Sequence, residues 1–496
     1  MSEVPLKGQA NETCAPGQPS DPKDPWDLVV LGGGTAGMVG AKTAARLGAR
    51  VLLVERAQLG GDCLWTGCVP SKALLACAEA AAGARRGAPL GVEARQVGVD
   101  FAGVMSHVRG AIGHIAPEDS VEALQGSGVH VMLGTGTFTG PRRLDVDGRQ
   151  VQFRQALLAT GAAPALPPIP GLLESSPLTS DTIWALSELP GRLAVLGGGS
   201  IGCELGQAFS RLGSQVVLVE GADRILPRED EEAAAVVTDA LTDDGVKVRT
   251  GVTVVQVVGS SGVGGALLLD DGSRVDFEHL LVAVGRSPRT RNLGLDASGI
   301  ETDPRGFVVV DARLRTTNAH VWAAGDLTGH PQFTHLAGVH ASTAATNAVL
   351  GLRRKVSLSA VPRVTFTHPE VAAVGLPTQR SRDGLQVRSW PDSHVDRAVA
   401  EGQTTGFTKL VTDRRGRILG ATVVGPRAGE TLAELTLAVR LGLTTRQLAG
   451  TTHPYPTFGD GPWNAVIANV QDQLTRPATA MVIRGLRTAR RFVSRR

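Results

Sequence analysis

Leu28-Val29-Val30-Leu31-Gly32-Gly33-Gly34-Thr35-Ala36-Gly37 is the stretch of this sequence that decides the fold. Its four leading apolar residues read as a parallel strand buried on both faces, and the Ala-rich residues that follow to Leu47 read as a helix. Between them Gly32, Gly34 and Gly37 form G-x-G-x-x-G. The first glycine allows a tight turn, the second lets backbone approach a pyrophosphate, and the third packs helix on strand. The pyrophosphate then lies on the helix N-terminus, where free N–H groups and the helix dipole favour negative charge. Val51-Leu52-Leu53-Val54 supplies the next strand and ends on Glu55, 23 residues after Gly32. The unit recurs as Leu193-Ala194-Val195-Leu196, then Gly197, Gly199 and Gly202, a helix to Leu212, and Val216-Val217-Leu218-Val219 ending on Glu220, again 23 residues after the first glycine. One architecture used twice predicts two bound dinucleotides. A carboxylate at the end of the second strand accepts the ribose 2′-hydroxyl and repels a 2′-phosphate. Glu220 therefore favours NADH over NADPH, with Arg224 nearby moderating the preference.

Outward from these units, the expected fold class is α/β, with two Rossmann-like dinucleotide-binding domains and a C-terminal α+β domain. Residues 1–25, with five prolines and no periodicity, read as a disordered leader. The first dinucleotide domain is expected over 26–165. It resumes over 286–352, after the second dinucleotide domain at 166–285, and there the strand Val321-Trp322-Ala323-Ala324 runs into Gly325-Asp326. Residues 353–475 differ in texture, with strand-like runs such as 407–412 and an Ala/Leu-rich helix over 428–442. The tail 476–496 holds seven arginines and no acid, with Val482, Leu486, Ala489 and Val493 at helical spacing. A membrane-surface helix is one reading of it; a solvated or self-packing tail is preferred, because Gly485 weakens a helix.

A length of 496 residues exceeds what one hydrophobic core organises. The balance of 50 basic against 47 acidic residues gives no basis for a nucleic-acid partner. The five cysteines, Cys14, Cys63, Cys68, Cys77 and Cys203, are too sparse for the framework of a small secreted protein. With no signal-peptide pattern and no apolar run of membrane-spanning length, a cytoplasmic protein is expected.

Gly60-Gly61-Asp62-Cys63-Leu64-Trp65-Thr66-Gly67-Cys68-Val69-Pro70-Ser71-Lys72 carries the chemistry. Residues five apart in a regular helix have Cα atoms about 8 to 9 Å apart, whereas a disulfide needs less than about 7 Å. Cys63 and Cys68 can close only if Cys63 lies in a distorted turn, which Gly60, Gly61 and Gly67 permit. Pro70 suits the first turn of a helix beginning there, and a thiolate at Cys68 would gain from its dipole. A disulfide at such a place in a reducing compartment is catalytic rather than structural. Cys77 and Cys203 read as small packing residues. Lys72 falls one helical turn after Cys68, and Glu204 lies two residues beyond Gly202; spacing alone would make each a solvated charge.

With these motifs the sequence resembles the class I pyridine nucleotide-disulfide oxidoreductases, the group of lipoamide dehydrogenase, glutathione reductase and mercuric reductase. The resemblance covers roughly residues 26–475, and C-x4-C-V-P-S-K is specific to the group. It implies that Gly32, Gly34, Gly37 and Glu55 bind FAD and that Gly197, Gly199, Gly202 and Glu220 bind the nicotinamide cofactor. Cys63 would be the interchange thiol, Cys68 the thiol beside the flavin ring, and Lys72 and Glu204 an ion pair near flavin N5. Ala159-Thr160-Gly161 matches the connecting motif, and Asp326 the carboxylate on the ribityl chain. The C-terminal domain would form a homodimer interface that completes the partner's active site. Electrons would pass from NADH or NADPH through FAD to the disulfide and on to an acceptor.

The family's disulfide reductases place His directly before Pro-Thr and Glu five positions later. Here His453-Pro454-Tyr455-Pro456-Thr457-Phe458-Gly459-Asp460 puts Tyr455 in the His position and Asp460 in the Glu position. A phenol of pKa near ~10 is a poor base at neutral pH, so His453 is the other acid/base candidate. A tyrosine beside thiols resembles the mercuric reductases, and soft thiolates suit soft metal ions. No cysteine follows Cys203, however, and Cys14 has no Cys-x-x-Cys partner. The expectation is a mercuric-reductase-like enzyme acting on a metal ion or small disulfide, with no resident metal. Dihydrolipoyl dehydrogenase, a flavin-dependent quinone or diaphorase-type reductase, and a non-catalytic flavin-bound redox sensor are the alternatives.

Overall fold

The computed structural model describes residues 24–94, 96–378 and 384–494; the expected leader, apart from Asp24 and Pro25, lies outside them. The described chain divides into two units. One is built from residues up to 64, 113–163 and 287–356, the other from 65–112, 164–286 and 357 onward.

In the first unit Trp26–Leu31 is the central strand. It pairs in parallel with Val51–Glu55 on one side and with Arg149–Leu158 on the other, and Val129–Leu133 extends the sheet beyond Val51–Glu55. Arg149–Leu158 serves two further partners: its first residues pair antiparallel with Arg143–Val146, its last in parallel with Val321–Ala323. Alternation along the central strand sends Leu28 and Val30 into one core and Val29 and Leu31 into another, which is why the run is apolar throughout. The helices Thr35–Arg46 and Thr334–Leu350 cover the Leu28 face with Ala41, Ala44, Ala341 and Ala344. Gly40 is required there, since a Cβ would stand 2.4 Å from the Leu157 side chain.

The second unit holds a five-stranded parallel sheet ordered Lys247–Thr250, Gln215–Glu220, Arg192–Leu196, His279–Val282, Leu178–Thr179. The helix Ser200–Leu212 packs Phe209 and Leu212 into a core shared with Leu74 and Ala78 of the helix Cys68–Arg85. Burying side chains of this size contributes about 1.5–3 kcal/mol each. The same unit contains a five-stranded antiparallel sheet ordered Arg363–Thr365, Glu370–Gly375, Ile418–Gly425, Phe407–Asp413, Leu385–Pro391. Helices Ala428–Leu441 and Asp460–Thr475 cover it through Leu432, Leu435, Ala465 and Val466. The protein is thus α/β, with two sheets each built on a strand–helix–strand unit and a C-terminal α+β layer. The tail is helical from Pro477 to Val493; Gly485 lowers helix propensity by about 1 kcal/mol without ending the helix. No helix among the described residues is long and apolar enough to cross a membrane.

Candidate active site

The two glycine turns are near copies. Gly32 has φ +108° and Gly197 φ +112°, and a Cβ at either would stand 2.5 or 2.6 Å from a carbonyl oxygen of the neighbouring strand, Ala159 or Ala283. A Cβ at Gly37 or Gly202 would lie within 2 Å of the first glycine's own carbonyl oxygen. The acidic residues are fixed alike: Glu55 accepts the Gly33 and Ala57 N–H groups at 2.6 and 2.8 Å, and Glu220 accepts those of Gly198 and Ala222 at 2.6 and 2.8 Å. The middle glycines leave room for a ligand. A Cβ at Gly34 would meet only the Gly61 Cα at 3.6 Å, and at Gly199 nothing within 4 Å. Open backbone at a helix start, with a carboxylate 23 residues on, fits a dinucleotide in both places.

The first unit brings its remaining candidates to the same turn. Thr160 and Gly161 follow Ala159 directly, and Arg289 locks them: Thr160 Oγ1 donates to the Arg289 carbonyl at 2.7 Å, and the Arg289 N–H donates to the Gly161 carbonyl at 2.9 Å. Gly325, which precedes Asp326, has φ +90° and packs on Ala36 and Ala337. The loop that carries Cys63 rests on the glycine turn, with the Gly60 N–H donating to the Gly33 carbonyl at 3.0 Å. The short helix Gly61–Trp65 follows, and a new helix, Cys68–Arg85, starts after Gly67. Cys63 is half-buried and Cys68 exposed.

In the second unit Lys72 and Glu204 form a pair rather than two solvated charges. Lys72 Nζ lies 2.8 Å from Glu204 Oε2 and 4.1 Å from the centre of the Phe366 ring, while Glu204 Oε1 accepts the Phe366 N–H at 3.0 Å. Glu204 is 6 % exposed. Beyond the pair lies a cleft of about 430 Å³. Its wall continues the polar face of Ser200–Leu212. Gln207 donates to Asp244 and to the His368 carbonyl, both at 2.8 Å, and Arg211 joins Asp244 to Glu79. Burial holds His368 below the usual imidazole range.

The segment before Asp460–Thr475 separates the two acid/base candidates. His453 Nδ1 lies 2.9 Å from the Thr451 carbonyl oxygen, and Nε2 lies 2.9 and 3.0 Å from the two Glu434 carboxylate oxygens. Both ring nitrogens therefore face acceptor oxygens, one on the backbone and one on a carboxylate. Tyr455 is 71 % exposed and donates its O–H to Asp396. That hydrogen bond, with the Asp396 charge, pushes the phenol above its ordinary pKa. Asp460 accepts the Thr457 N–H at 3.1 Å, at the start of its own helix. Glu434, Asp396 and Phe366 had no signal in the sequence, because each is 19 or more residues from its partner.

Other residues read as follows. Burial raises the Cys77 pKa. Cys203 is fully buried, donates to the Gly198 carbonyl, and is raised by burial and then by the charges of Glu204 and Glu220. Arg224 Nη2 donates to the Pro227 and Glu229 carbonyls, while its Nη1 is buried without a hydrogen-bond partner among the described residues.

Two dinucleotide cradles, one bearing the cysteine loop on its rim and one whose helix carries a buried Glu204 paired with Lys72, define a flavin- and nicotinamide-dependent disulfide enzyme. The chain belongs to the pyridine nucleotide-disulphide oxidoreductase family, whose pattern matches residues 26–341, with the family's dimerisation domain over 361–466. It is 39% identical to a mercuric reductase from Streptomyces lividans over 448 residues, covering 88% of this chain and 94% of that one. It is 37% identical to a dihydrolipoyl dehydrogenase from Thermus scotoductus over 460 residues, 89% and 97% of the two chains. Among solved structures, the Cu(II) complex of the HOCl-induced flavoprotein disulfide reductase RclA from Escherichia coli superposes with a TM-score of 0.81 at 27% identity, over 90% of this chain and 99% of that one. The protein is an FAD-dependent, pyridine-nucleotide-linked disulfide oxidoreductase with a dimerisation domain that supports a homodimer.

Proposed function

We propose that this enzyme draws electrons from NADH and delivers them, through a redox-active pair formed by Cys63 and Cys68, to a soft metal ion or a small disulfide, as a mercuric-reductase-like reductase. FAD would be held by Gly32, Gly34, Gly37, Glu55, Thr160, Gly161 and Asp326, and the nicotinamide cofactor by Gly197, Gly199, Gly202 and Glu220. Bound there, the flavin would supply two-electron exchange between the nicotinamide and the cysteine pair. Lys72 and Glu204 hold a fixed charge pair beside the second cradle. NADH is favoured because Glu220 would face a 2′-phosphate, and Arg224 Nη2 is engaged by two carbonyls.

The observation that carries the choice of acceptor is the state of the 453–460 segment, which by family resemblance acts on the other protomer's thiols. Oxidising a dithiol requires a group that takes protons near neutral pH. Both His453 ring nitrogens are engaged, by the Thr451 carbonyl and the Glu434 carboxylate, and the Asp396 hydrogen bond pushes the Tyr455 phenol above its ordinary pKa. A phenol that donates or coordinates suits reduction of a metal ion instead: the dithiolate closes to a disulfide while a divalent ion gains both electrons. The similarity to mercuric reductases supports this reading.

The test is the ratio of NADH-driven Hg(II) turnover to dihydrolipoamide oxidation in wild type, Tyr455→Phe and Tyr455→His. Tyr455→Phe is expected to slow metal turnover about tenfold, and Tyr455→His to raise dithiol oxidation, incompletely because Asp460 is a methylene shorter than Glu. Rapid dihydrolipoamide oxidation by wild type, unchanged in Tyr455→Phe, overturns the assignment and selects the dihydrolipoyl dehydrogenase reading.

A further inference from the structure

The helix Pro477–Val493 lies beyond the stretch matched by the dimerisation domain, and no part of the chemistry above uses it. Its start is tied down: Arg476 donates to the Arg414 carbonyl and to Gln386, at 2.9 and 2.8 Å. Past the half-buried Ile483 the helix runs free. At ~100° per residue, Met481, Phe492, Gly485, Ala489, Val482, Val493 and Leu486 fall in one continuous sector. Its large members are uncovered: Met481 69%, Val482 61%, Leu486 66%, Phe492 74% and Val493 67% exposed. Arg490, Arg487, Arg491 and Arg484 occupy the remaining sector together with Thr488 and the half-buried Ile483, with Arg490 at one border with the apolar face and Arg484 next to Thr488 at the other. None of the four forms an ion pair with a carboxylate among the described residues.

We propose that this helix docks the enzyme on an anionic lipid surface, lying in the plane of the interface. Charge selects this occupant. The segment 476–496 carries seven arginines and no acid, so the rest of the chain has 43 basic against 47 acidic residues. Positive charge is concentrated in this one element. An apolar face that sought only a protein partner would need no such cluster beside it, whereas bilayer binding combines burial of the apolar face with attraction of arginines to lipid phosphates. Arg490 at one border and Arg484 one position back from the other have the reach to contact headgroups while Leu486 and Phe492 enter the acyl boundary.

The experiment is co-sedimentation of the full-length holoenzyme with vesicles of phosphatidylcholine alone or mixed with phosphatidylglycerol. The proposal expects binding at least tenfold stronger to the mixed vesicles, weakened by salt. Leu486→Glu with Phe492→Glu should abolish it, and Arg484→Gln with Arg490→Gln should reduce it severalfold. Flavin content and NADH oxidation should be unchanged in both, since these side chains are exposed and none of them belongs to the proposed cofactor or thiol sites. Absence of binding to the mixed vesicles overturns the proposal, as does equal binding by the Glu variants. If sedimentation equilibrium shows that the Glu variants fall to a smaller assembly than wild type, with no vesicle binding by either, the apolar face belongs to a second copy of the chain.

Discussion

The turns at Gly32–Gly37 and Gly197–Gly202 are the same object in two settings. Their φ angles, their Cβ-excluding contacts and the carboxylates accepting two N–H groups agree almost atom for atom. Their surroundings do not. The helix after the first turn buries Ala36, Met38, Ala41 and Ala44, a small-residue face that lets the helix Thr334–Leu350 come close. The helix after the second buries Glu204, Gln207 and Arg211, a polar face that engages Lys72, Glu79, Asp244 and the 366–368 backbone. The first turn also carries the cysteine loop on its rim; the second has open space at Gly199. One backbone code therefore serves for holding a pyrophosphate. What each cradle does is set by the neighbours packed around it.

The harshest way to break this comparison is to fill the third glycine of each turn. Gly37→Ala drives a Cβ into the Gly32 carbonyl and is expected to yield protein without flavin absorbance. Gly202→Ala makes the equivalent clash at Gly197 and should retain flavin while raising the KM for NADH at least a hundredfold. Flavin loss from both variants would show that the cradles are not independent.

Next in size is removal of the thiols proposed to react. Cys63→Ser and Cys68→Ser should each lower acceptor turnover by about a thousandfold, while both keep flavin. Cys68→Ser should additionally remove the long-wavelength absorbance of the two-electron-reduced holoenzyme, and Cys63→Ser should leave such absorbance permanently. Spectra unaltered by either substitution would take the pair out of the reaction.

A smaller effect sharpens the contrast between the helices. Lys72→Met leaves the Glu204 carboxylate buried without its cation, a change expected to cost about 2 kcal/mol in chemical denaturation, below the 3–5 kcal/mol of a fully buried pair because Lys72 is partly exposed. Adding Glu204→Gln should restore most of it, since the amide needs no counter-charge. A double variant no more stable than Lys72→Met would mean that the pair is not energetically coupled.

The smallest is cofactor choice. Glu220→Ala should lose about tenfold of the preference for NADH over NADPH, roughly 1.4 kcal/mol, measured as the ratio of the two kcat/KM values. A wild-type enzyme that already favours NADPH would reverse the assignment.

What the sequence by itself determined is everything coded over short distances. Gly32 answers a local demand for positive φ, Gly34 for open backbone and Gly37 for close approach of helix to turn, an apolar run marks a two-faced buried strand, and Glu55 and Glu220 stand where a strand of fixed length must end. The cysteine spacing, with glycines on both sides and Pro70 after it, called for a distorted turn at Cys63; the structure instead places Cys63 within the short helix Gly61–Trp65 and interrupts the helical path between Trp65 and Cys68. Tertiary structure alone decided the pairings. Lys72 meets Glu204 across 132 residues, Tyr455 meets Asp396 across 59, and His453 meets Glu434 across 19. Resemblance could nominate Lys72 with Glu204, but no pattern could show that His453 is held by two acceptors, or that Arg224 is turned onto carbonyls. A charged or polar side chain has the same spacing in sequence whether it is solvated or paired. Which it becomes depends on how sheets and helices from distant segments pack, and on the cost of burying a polar group without a partner.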